Sequence, residues 1–597
     1  MSKRLMALLL ALVMVLALLS GCGQPGSAQE SAAPEASTVE TAPEPSEEAP
    51  APTPEVPADS TLEDSSVEED TPVEYASMAE KYAAMSKQTN EDYQKLQEGV
   101  GTDITYPLDD SPTFTMWRVF SAFIWNGLME SYADMPTMPL IEEATGAHVD
   151  FVEVPDSAAY TQFNLRIASG DYCDFMAMDY YTGGVEAAYE EDIVLDLTDM
   201  VEEHMPNYMA VVDTMDDYTL KSIYTEDDRI LRIWTLASNV VSEQGLSYRA
   251  DWAEEFGFDQ LVTVDDMYDY LCAVKDKYNC IYPIFIDNSA SLEGFTGSFG
   301  AVGMNLGWTD LGMMLEGDTV VSSVTHDGYR KYIETFNKFY SAGLIKDNFY
   351  NEAYGPDYIN AYVMEDNCAV TAIRGDKFTT MTENAISPTF RFEATAPLVE
   401  KEGDEYRFLM KTSHTGMGNM SVTTACADPE TALEFMNWFY TWDGYMVTNY
   451  GEEGVCFEYD ENGDPAYTDF IVHNPDGYNV MNLRNMYTNP VFNNYINATA
   501  VFYTYDEVEL SAFEIWNNNG NSDGSMPTLS LTTDENTEYA EIASTVYTYA
   551  SEQVLKWMIG EEELTDESWN AYVDQCNAME LPRCVEIYQA VYDRMYK

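Results

Sequence analysis

Between residues 113 and 178 the chain alternates strand-like and helix-like hydrophobic patterns, and this alternation limits its possible folds more than any other feature. Thr113-Phe-Thr-Met-Trp-Arg-Val-Phe120 reads as a strand, and Gly127 to Thr145 as a helix ended by Gly146. His148-Val-Asp-Phe-Val-Glu-Val154 alternates polar and apolar as a strand does. Tyr160 to Ala168 is predicted as a helix stopped at Gly170, and Phe175-Met-Ala-Met178 as a short buried strand. Strands separated by helices in this way imply an α/β fold, with a parallel sheet covered by helices. Ligands of such sheets sit beyond the carboxyl ends of the strands, which points to Trp117 to Phe120 and to Asp179, Tyr180 and Tyr181.

The chain ahead of this run is of a different kind. Lys3 and Arg4 precede an apolar stretch from Leu5 to Leu19 that ends in Ser20-Gly21-Cys22. A charged start, an apolar core and small residues before a cut are the parts of a secretory signal. The core is short of the roughly twenty residues that a permanent membrane helix needs. Leu19-Ser20-Gly21-Cys22 resembles the lipobox of bacterial lipoproteins, which implies cleavage after Gly21 and diacylglyceration of the Cys22 thiol. Two acyl chains suffice for stable anchoring. The other reading is an ordinary signal peptide with a chance cysteine.

From Gly23 to about Glu74 the chain is Pro, Ala, Ser, Thr and acidic residues, with no Lys or Arg. Too little apolar surface is available to offset ordering entropy, so a disordered tether is predicted over 22–74. Charge repulsion and proline stiffness extend it beyond the about 40 Å of a flexible coil.

The remaining body, residues 75–597, is long enough for two large lobes or three ordinary domains. Lys plus Arg number 28 against 104 Asp plus Glu, a net charge of −76 that argues against nucleic acid and anionic lipid headgroups as partners. The same field disfavours a polyanionic ligand unless a local Arg cluster overrides it. No apolar stretch beyond residue 21 approaches spanning length, so only the lipid is expected to touch the membrane. The cysteines after Cys22 are scattered. Cys272/Cys280 and Cys576/Cys584 are close enough in sequence to raise the question of disulfides, but free buried thiols are the expectation for a body of this size.

Several motifs carry a family resemblance. Ala168-Ser-Gly-Asp-Tyr-Cys-Asp-Phe175 followed by Asp192-Ile-Val-Leu-Asp-Leu-Thr198, and Tyr248-Arg-Ala-Asp-Trp-Ala-Glu-Glu-Phe-Gly257, resemble segments of bacterial extracellular solute-binding proteins that feed carbohydrate ABC importers. Asn337 to Asp347, Asp428 to Trp438 and Asn449-Tyr-Gly-Glu-Glu-Gly454 are similar to later motifs of that family, in the same order. The large lipoprotein-type sugar-binding members are most alike. Cys173 stands where the family has Pro, and Leu261-Val262-Thr263 replaces its Pro-x-Thr, which marks a distant member.

The resemblance implies a two-lobed, periplasmic-binding-protein-like type II fold, with a hinge and an interlobe ligand cleft. The expected organisation is a signal peptide over 1–21, the tether over 22–74 and an N-terminal helical extension over 75–104. The first lobe is expected over 105–235 plus 370–440, and the second over 236–369 plus 441–597. The function implied is a lipid-anchored binding protein on the outer face of the bacterial membrane. It captures a neutral oligosaccharide and presents it to the transmembrane subunits of an ABC permease, as a monomer without cofactor or metal. A peptide or another polar solute is the alternative cargo.

Sugars present apolar C–H faces rimmed by hydroxyls, so their sites need aromatic platforms and planar donors and acceptors. Candidates by position are Trp117, Asp179, Tyr180, Tyr181, Trp234 near a lobe crossing, Trp308 in a Gly-rich stretch, Trp442 after a helix, and Glu453 in the Asn449–Gly454 turn. Core packing is the competing role for each aromatic; Trp438 and Trp252 are assigned to it. Arg249 and Arg374 could each grip a ligand carboxylate or hydroxyl pair through a planar fork, or serve in a salt bridge.

Enzymatic readings find little support. The five histidines show no metalloprotease spacing, and neither a nucleophile elbow nor a phosphate-cradling loop occurs. A glycoside hydrolase needs only two suitably spaced carboxylates, which 104 acids can supply, so a surface hydrolase is the alternative from another class. Asp460-Glu-Asn-Gly-Asp-Pro465 reads as a hairpin turn, because it lacks the ligand pattern of a calcium loop.

Overall fold

The first strand, β1 (Thr113–Phe120), sorts its side chains onto two faces as the sequence pattern requires. Phe114 and Met116 enter one hydrophobic cluster, Trp117 and Val119 another. The computed structural model describes residues 75–120, 129–181, 183–239, 242–287, 295–302, 311–352, 356–407, 414–415, 418–475, 478, 480–488, 491–519 and 524–597. The leader, Cys22, the tether and Trp308 lie outside these residues.

β1 runs parallel to β2 (His148–Pro155), in register from Thr113↔His148 to Phe120↔Pro155, and parallel to β3 (Phe175–Met176). The predicted parallel core is therefore present. The helix before β3, Ala159–Ser169, stops at Gly170 in the left-handed conformation (φ 70°). The helix expected from Gly127 is shorter, Met138–Thr145, preceded by a 3-10 turn over Tyr132–Asp134. Pro136 explains this, since it lacks an N–H and disfavours helix in the residue before it, whereas Pro139 sits in the first turn, where the missing N–H costs nothing. β4 (Ile233–Trp234) and β5 (Leu236–Ala237) follow, and the chain leaves the first sheet.

β6 (Gln244–Arg249), β7 (Tyr282–Ile284), the hairpin of β8 (Met313–Glu316) with β9 (Thr319–Ser322), β10 (Cys368–Arg374) and β11 (Phe392–Ala394) come next. They build a second sheet in the order β11-β6-β10-β7, with the hairpin apart from it. The chain then returns: β12 (Asn419–Val422) inserts antiparallel between β3 and β4, completing the first sheet in the order β2-β1-β3-β12-β4. The hairpin of β13 (Phe457–Tyr459) and β14 (Pro465–Tyr467) turns where the sequence predicted, and Asp460 accepts hydrogen bonds from Asn462 N and Asp464 N. β15 (Tyr495–Ile496) pairs parallel with β5.

Each sheet is covered on both faces, giving two lobes with separate cores. The lobe borders differ from those expected. β10 and β11 belong to the second sheet, not to the first lobe, and residues after 441, including Tyr445, Tyr450, Phe457 and Phe492, pack into the first lobe's cluster with Phe114 and Phe175. The physical reason is that an apolar strand such as Cys368-Ala-Val-Thr-Ala-Ile-Arg374 records its burial, not which sheet it joins.

The third crossing is the helix Glu507–Asn518. Leu510 and Phe513 sit in the first lobe's core, Ala512 and Trp516 in the second's. Backbones of β6 and the β10 end pass directly beneath it. A Cβ on Gly375 would lie 2.7 Å from the Phe513 ring, and one on Gly245 would overlap Trp516. The other two crossings are joined by backbone bonds from Thr235 N to Gly418 O and from Ala237 N to His414 O, both 2.9 Å.

The N-terminal helix, Met78–Glu98, docks on the first lobe. Tyr93 stacks on Tyr445 and Tyr495 at 4.4 and 4.5 Å, and Asn90 bonds to Tyr445, Tyr450 and Asn497. The described cysteines are free thiols. Among the described residues no helix is long and apolar enough to cross a membrane.

Candidate functional site

The register of the first sheet decides which side chains meet at its carboxyl edge. Met116 is level with Phe175, so Arg118 lies level with the end of β3, and Asp179 follows in the turn Met178–Tyr180. β12 runs the other way and brings its first residue, Asn419, opposite Trp234 at the end of β4. Neighbouring strands thus present Arg118, Asp179, Asn419 and Trp234 along one edge.

Asn419 Nδ2 donates to both carboxylate oxygens of Asp179, at 3.1 and 3.3 Å, which leaves its own Oδ1 buried without a partner. Asn493 spends its amide N–H groups on Thr235 Oγ1 and Gly418 O, and its Oδ1 is likewise unpartnered. The Arg232 guanidinium lies over the Trp234 ring, 4.4 Å from its centroid. Among the described residues, neither Arg118 nor Arg232 forms an ion pair. Burial holds both guanidiniums below the ordinary arginine value. The fields of Tyr132, Asp179 and Tyr180 oppose it at Arg118, and those of Glu186, Asp179 and Tyr208 at Arg232.

Of the residues expected at the site, the structure brings Asp179, Tyr180 and Trp234 to this edge. Trp117 needs correction as a platform: it is 2 % exposed and packs edge-on against Phe163 and Tyr180 at 5.0 and 5.3 Å, because its place in the alternation turns it toward the covering helices. Tyr181 is half-buried against the same cluster. Trp234 is largely buried, and its backbone carbonyl accepts from the Tyr440 hydroxyl. Trp442 opens the helix Trp442–Tyr450 and stacks on Tyr445, on the side where the N-terminal helix docks. Glu453 lies exposed in the turn before β13. Arg374 also needs correction. Its guanidinium pairs with Glu243 at 3.0 Å and Asp376 at 3.1 Å, tying one crossing to the end of β10, so the salt-bridge reading holds for it. The same reading holds for Arg249, paired with Asp251 and Asp366.

Arg232, Asn419 and Asn493 are edge residues that sequence reasoning passed over, and Arg118, though inside the stretch Trp117 to Phe120, was not singled out. Two of them had a signal: a guanidinium stands inside each of the apolar runs Met116-Trp-Arg-Val119 and Ile230-Leu-Arg-Ile-Trp234.

The lobes also meet away from the hinge. Ser530 donates to Glu186, Thr533 Oγ1 to Glu190 at 2.6 Å, and Arg594 pairs with Glu226 at 2.7 Å. A pocket of about 660 Å³ lies on the second lobe between Tyr248, Leu261, Glu393, Tyr406 and Asn518; it contains none of the edge residues.

Comparison with known proteins gives consistent results. The family model described as bacterial extracellular solute-binding protein matches residues 141–447, a span that takes in the second sheet and all of the first except β1. Lipoprotein LipO of Bacillus subtilis is 21% identical over 234 residues, a stretch that makes up 36% of this chain and 42% of LipO. The alginate-binding protein AlgQ2, in a crystal structure without calcium ion, superposes with a TM-score of 0.66 at 17% identity, over 83% of this chain and 100% of that one. An HMO-binding, ABC-transporter-associated solute-binding protein of Bifidobacterium longum infantis gives 0.63 at 16% identity, over 82% and 100%. FusA of S. pneumoniae in complex with kestose gives 0.61 at 16%, over 81% and 99%. The architecture of this chain is therefore that of the two-lobed solute-binding proteins.

Proposed function

Because the chain belongs to the bacterial extracellular solute-binding proteins, we propose that it captures an oligosaccharide between its lobes and delivers it to the transmembrane subunits of an ABC importer. The observation that carries this reading is the carboxyl edge of the first sheet, where unpartnered amide oxygens and guanidiniums outside any described ion pair adjoin an indole at the place where α/β folds take their ligands. Planar donors and acceptors of this kind suit a rim of hydroxyls. Relatives of the same architecture that bind alginate, HMO and kestose support a sugar as cargo. Asp179, Tyr180 and Trp234 are the ligand contacts retained from the sequence, joined by Asn419 and Asn493.

Capture needs lobes that move. The three crossings supply a hinge, and the contacts of Glu186, Glu190 and Glu226 with the C-terminal helices would be made and broken as the lobes close and open. Binding energy then goes into closure and docking, and no reaction is required of the site.

The lipobox-like Leu19-Ser20-Gly21-Cys22 supports export and anchoring through a diacylglyceryl group on Cys22, with the acidic segment as tether and the body held as a monomer at the outer face of the membrane. Cys22→Ala should abolish incorporation of a fatty-acid label.

The test of cargo is a melting screen of the full-length protein in detergent against oligosaccharides and short peptides, with chromatography of the products. A saturating ligand at a hundredfold excess over Kd stabilises by about 2.7 kcal/mol. A shift with an intact oligosaccharide supports capture. Shifts with peptides alone would overturn the sugar, and degraded sugar would overturn the binding role.

A further inference from the structure

The chain has 104 acids for 28 bases, so an arginine without a carboxylate partner has to be accounted for. Several others find them: Arg249, Arg374, Arg583 and Arg594 each pair with one or more, and Arg484 bonds instead to the Tyr467 hydroxyl. Arg118 and Arg232 do not, although both are half-buried and both feel the field of the same Asp179. Asp179 is already committed to the amide of Asn419, and Glu186, whose field also reaches Arg232, accepts a hydrogen bond from Ser530 across the lobes. A guanidinium withdrawn from water without a hydrogen-bonded counter-charge is destabilising, and a chain with this many acids could have supplied one. These two sit where the ligand is expected, Arg118 on β1 and Arg232 just before β4, strands of one sheet with β3 and β12 between them, and Asp179 beyond the end of β3 acts on both.

We infer that the cargo is an acidic oligosaccharide, and that a carboxylate on one of its sugars is bound by Arg118 and Arg232 at the carboxyl edge of the first sheet. The inference rests on the oligosaccharide reading above and changes the expected neutral sugar to a uronate-bearing one. The planar fork of a guanidinium matches the two oxygens of a carboxylate. Arg232 is moreover packed over the Trp234 ring, which limits the freedom lost when it binds. The rest of the protein, at net charge −76, repels a long polyanion. The site therefore suits a short chain with few acid groups, one of them seated against the two arginines. Burial lowers the affinity of both guanidiniums for their protons, and an incoming carboxylate would restore it.

The experiment uses matched ligands: short oligouronates, and the same chains after reduction of each carboxyl to a neutral CH2OH. Both sets are titrated calorimetrically onto the full-length protein in detergent, and onto Arg118→Gln, Arg232→Gln and Arg583→Gln. Arg583 loses only surface pairs with Glu538 and Glu586 and serves as the control. The acidic chain is expected to bind about tenfold or more tightly than its reduced twin. That preference should shrink in Arg118→Gln and Arg232→Gln and persist in Arg583→Gln. If either variant fails to fold, the titrations onto the unaltered protein decide. Equal or tighter binding of the neutral chains overturns the inference and leaves oligosaccharide capture standing. A preference undiminished in both variants overturns the role of the two arginines. Binding of neither set overturns the inference, and with short peptides bound instead the oligosaccharide reading falls too.

Discussion

Arg249 in the second lobe and Arg232 in the first are stacked on tryptophans in nearly the same way, with guanidinium-to-ring distances of 4.0 Å to Trp252 and 4.4 Å to Trp234. Their electrostatic surroundings are opposite. Arg249 is fully buried, its Nε and Nη2 bond to Asp251 at 2.9 and 2.8 Å, its Nη1 bonds to Asp366 at 2.5 Å, and Phe390 closes its other face. Burial acts to lower its proton affinity, and the two carboxylates more than reverse that. At Arg232 the burial effect prevails. Stacking on an aromatic ring thus fails to distinguish a structural arginine from a ligand-binding one. The counter-charge distinguishes them, because a structural site is complete in the chain alone.

The largest effect that could break this comparison is at Arg249. Replacing it with Met leaves Asp251, whose side chain is 9% exposed, and Asp366 without a cation. Removing one partner of a buried pair costs about 3–5 kcal/mol, so Arg249→Met should lower the denaturant midpoint strongly without changing ligand preference. A loss below about 1 kcal/mol would mean that the pair is not a structural element.

Glu509 is the acidic counterpart, a carboxyl buried in the hinge helix without a cation. Burial, and after it the neighbouring Asp506, pushes its pKa up from 4.5 to about 7. The folded chain therefore holds this proton to higher pH than the unfolded chain does. The stabilisation from protonation is present below about pH 4.5 and is lost as pH rises toward 7. Glu509→Gln should remove that slope and raise stability above pH 7 by on the order of 2–3 kcal/mol, less whatever its hydrogen bond from Asp506 N contributes. Unfolding curves of the two proteins that stay parallel from pH 5 to 8 would contradict it.

How much of this could be read in the sequence depends on what the pattern records. β1 and β2 emerged within a residue of their predicted limits because each carries the alternating pattern of a strand, and Gly170 ended its helix as expected. The lobe borders were not legible, since β10 is apolar on both faces and reads the same in either sheet. The edge was half legible: strand direction pointed to Asp179 and Tyr180, whereas Asn419 and Asn493 reach it from segments more than two hundred residues away in sequence. Trp117 was misread because the alternation gives two faces without saying which one carries the ligand. Arg118 and Arg232 could have been found as lone charges in apolar runs.

A smaller effect is expected at Arg374, whose pairs with Glu243 and Asp376 are partly open to water. Lys377 also reaches Asp376, at 3.2 Å, so the carboxylate keeps a cation when Arg374 is removed. Arg374→Gln should cost about 1–2 kcal/mol in unfolding experiments. Because the pair ties the first crossing to the end of β10, the variant should also change the ease of lobe closure, read as a change in ligand off-rate. Unchanged kinetics together with unchanged stability would remove Arg374 from the hinge.

The smallest stability effect is predicted where the binding effect is largest. Arg232→Met removes a half-buried charge that forms no ion pair among the described residues and keeps an apolar side chain against the Trp234 ring. Loss of the stacking contact costs about 0.5–1 kcal/mol, and relief of the uncompensated charge offsets it. The ligand-free protein should therefore unfold within about 1 kcal/mol of the original, on either side of it. Stability retained with affinity for the acidic chain lost would separate Arg232 from Arg249 in one pair of experiments. A destabilisation as large as that of Arg249→Met would mean instead that the first lobe neutralises Arg232 internally, and the contrast between the two tryptophan-stacked arginines would disappear.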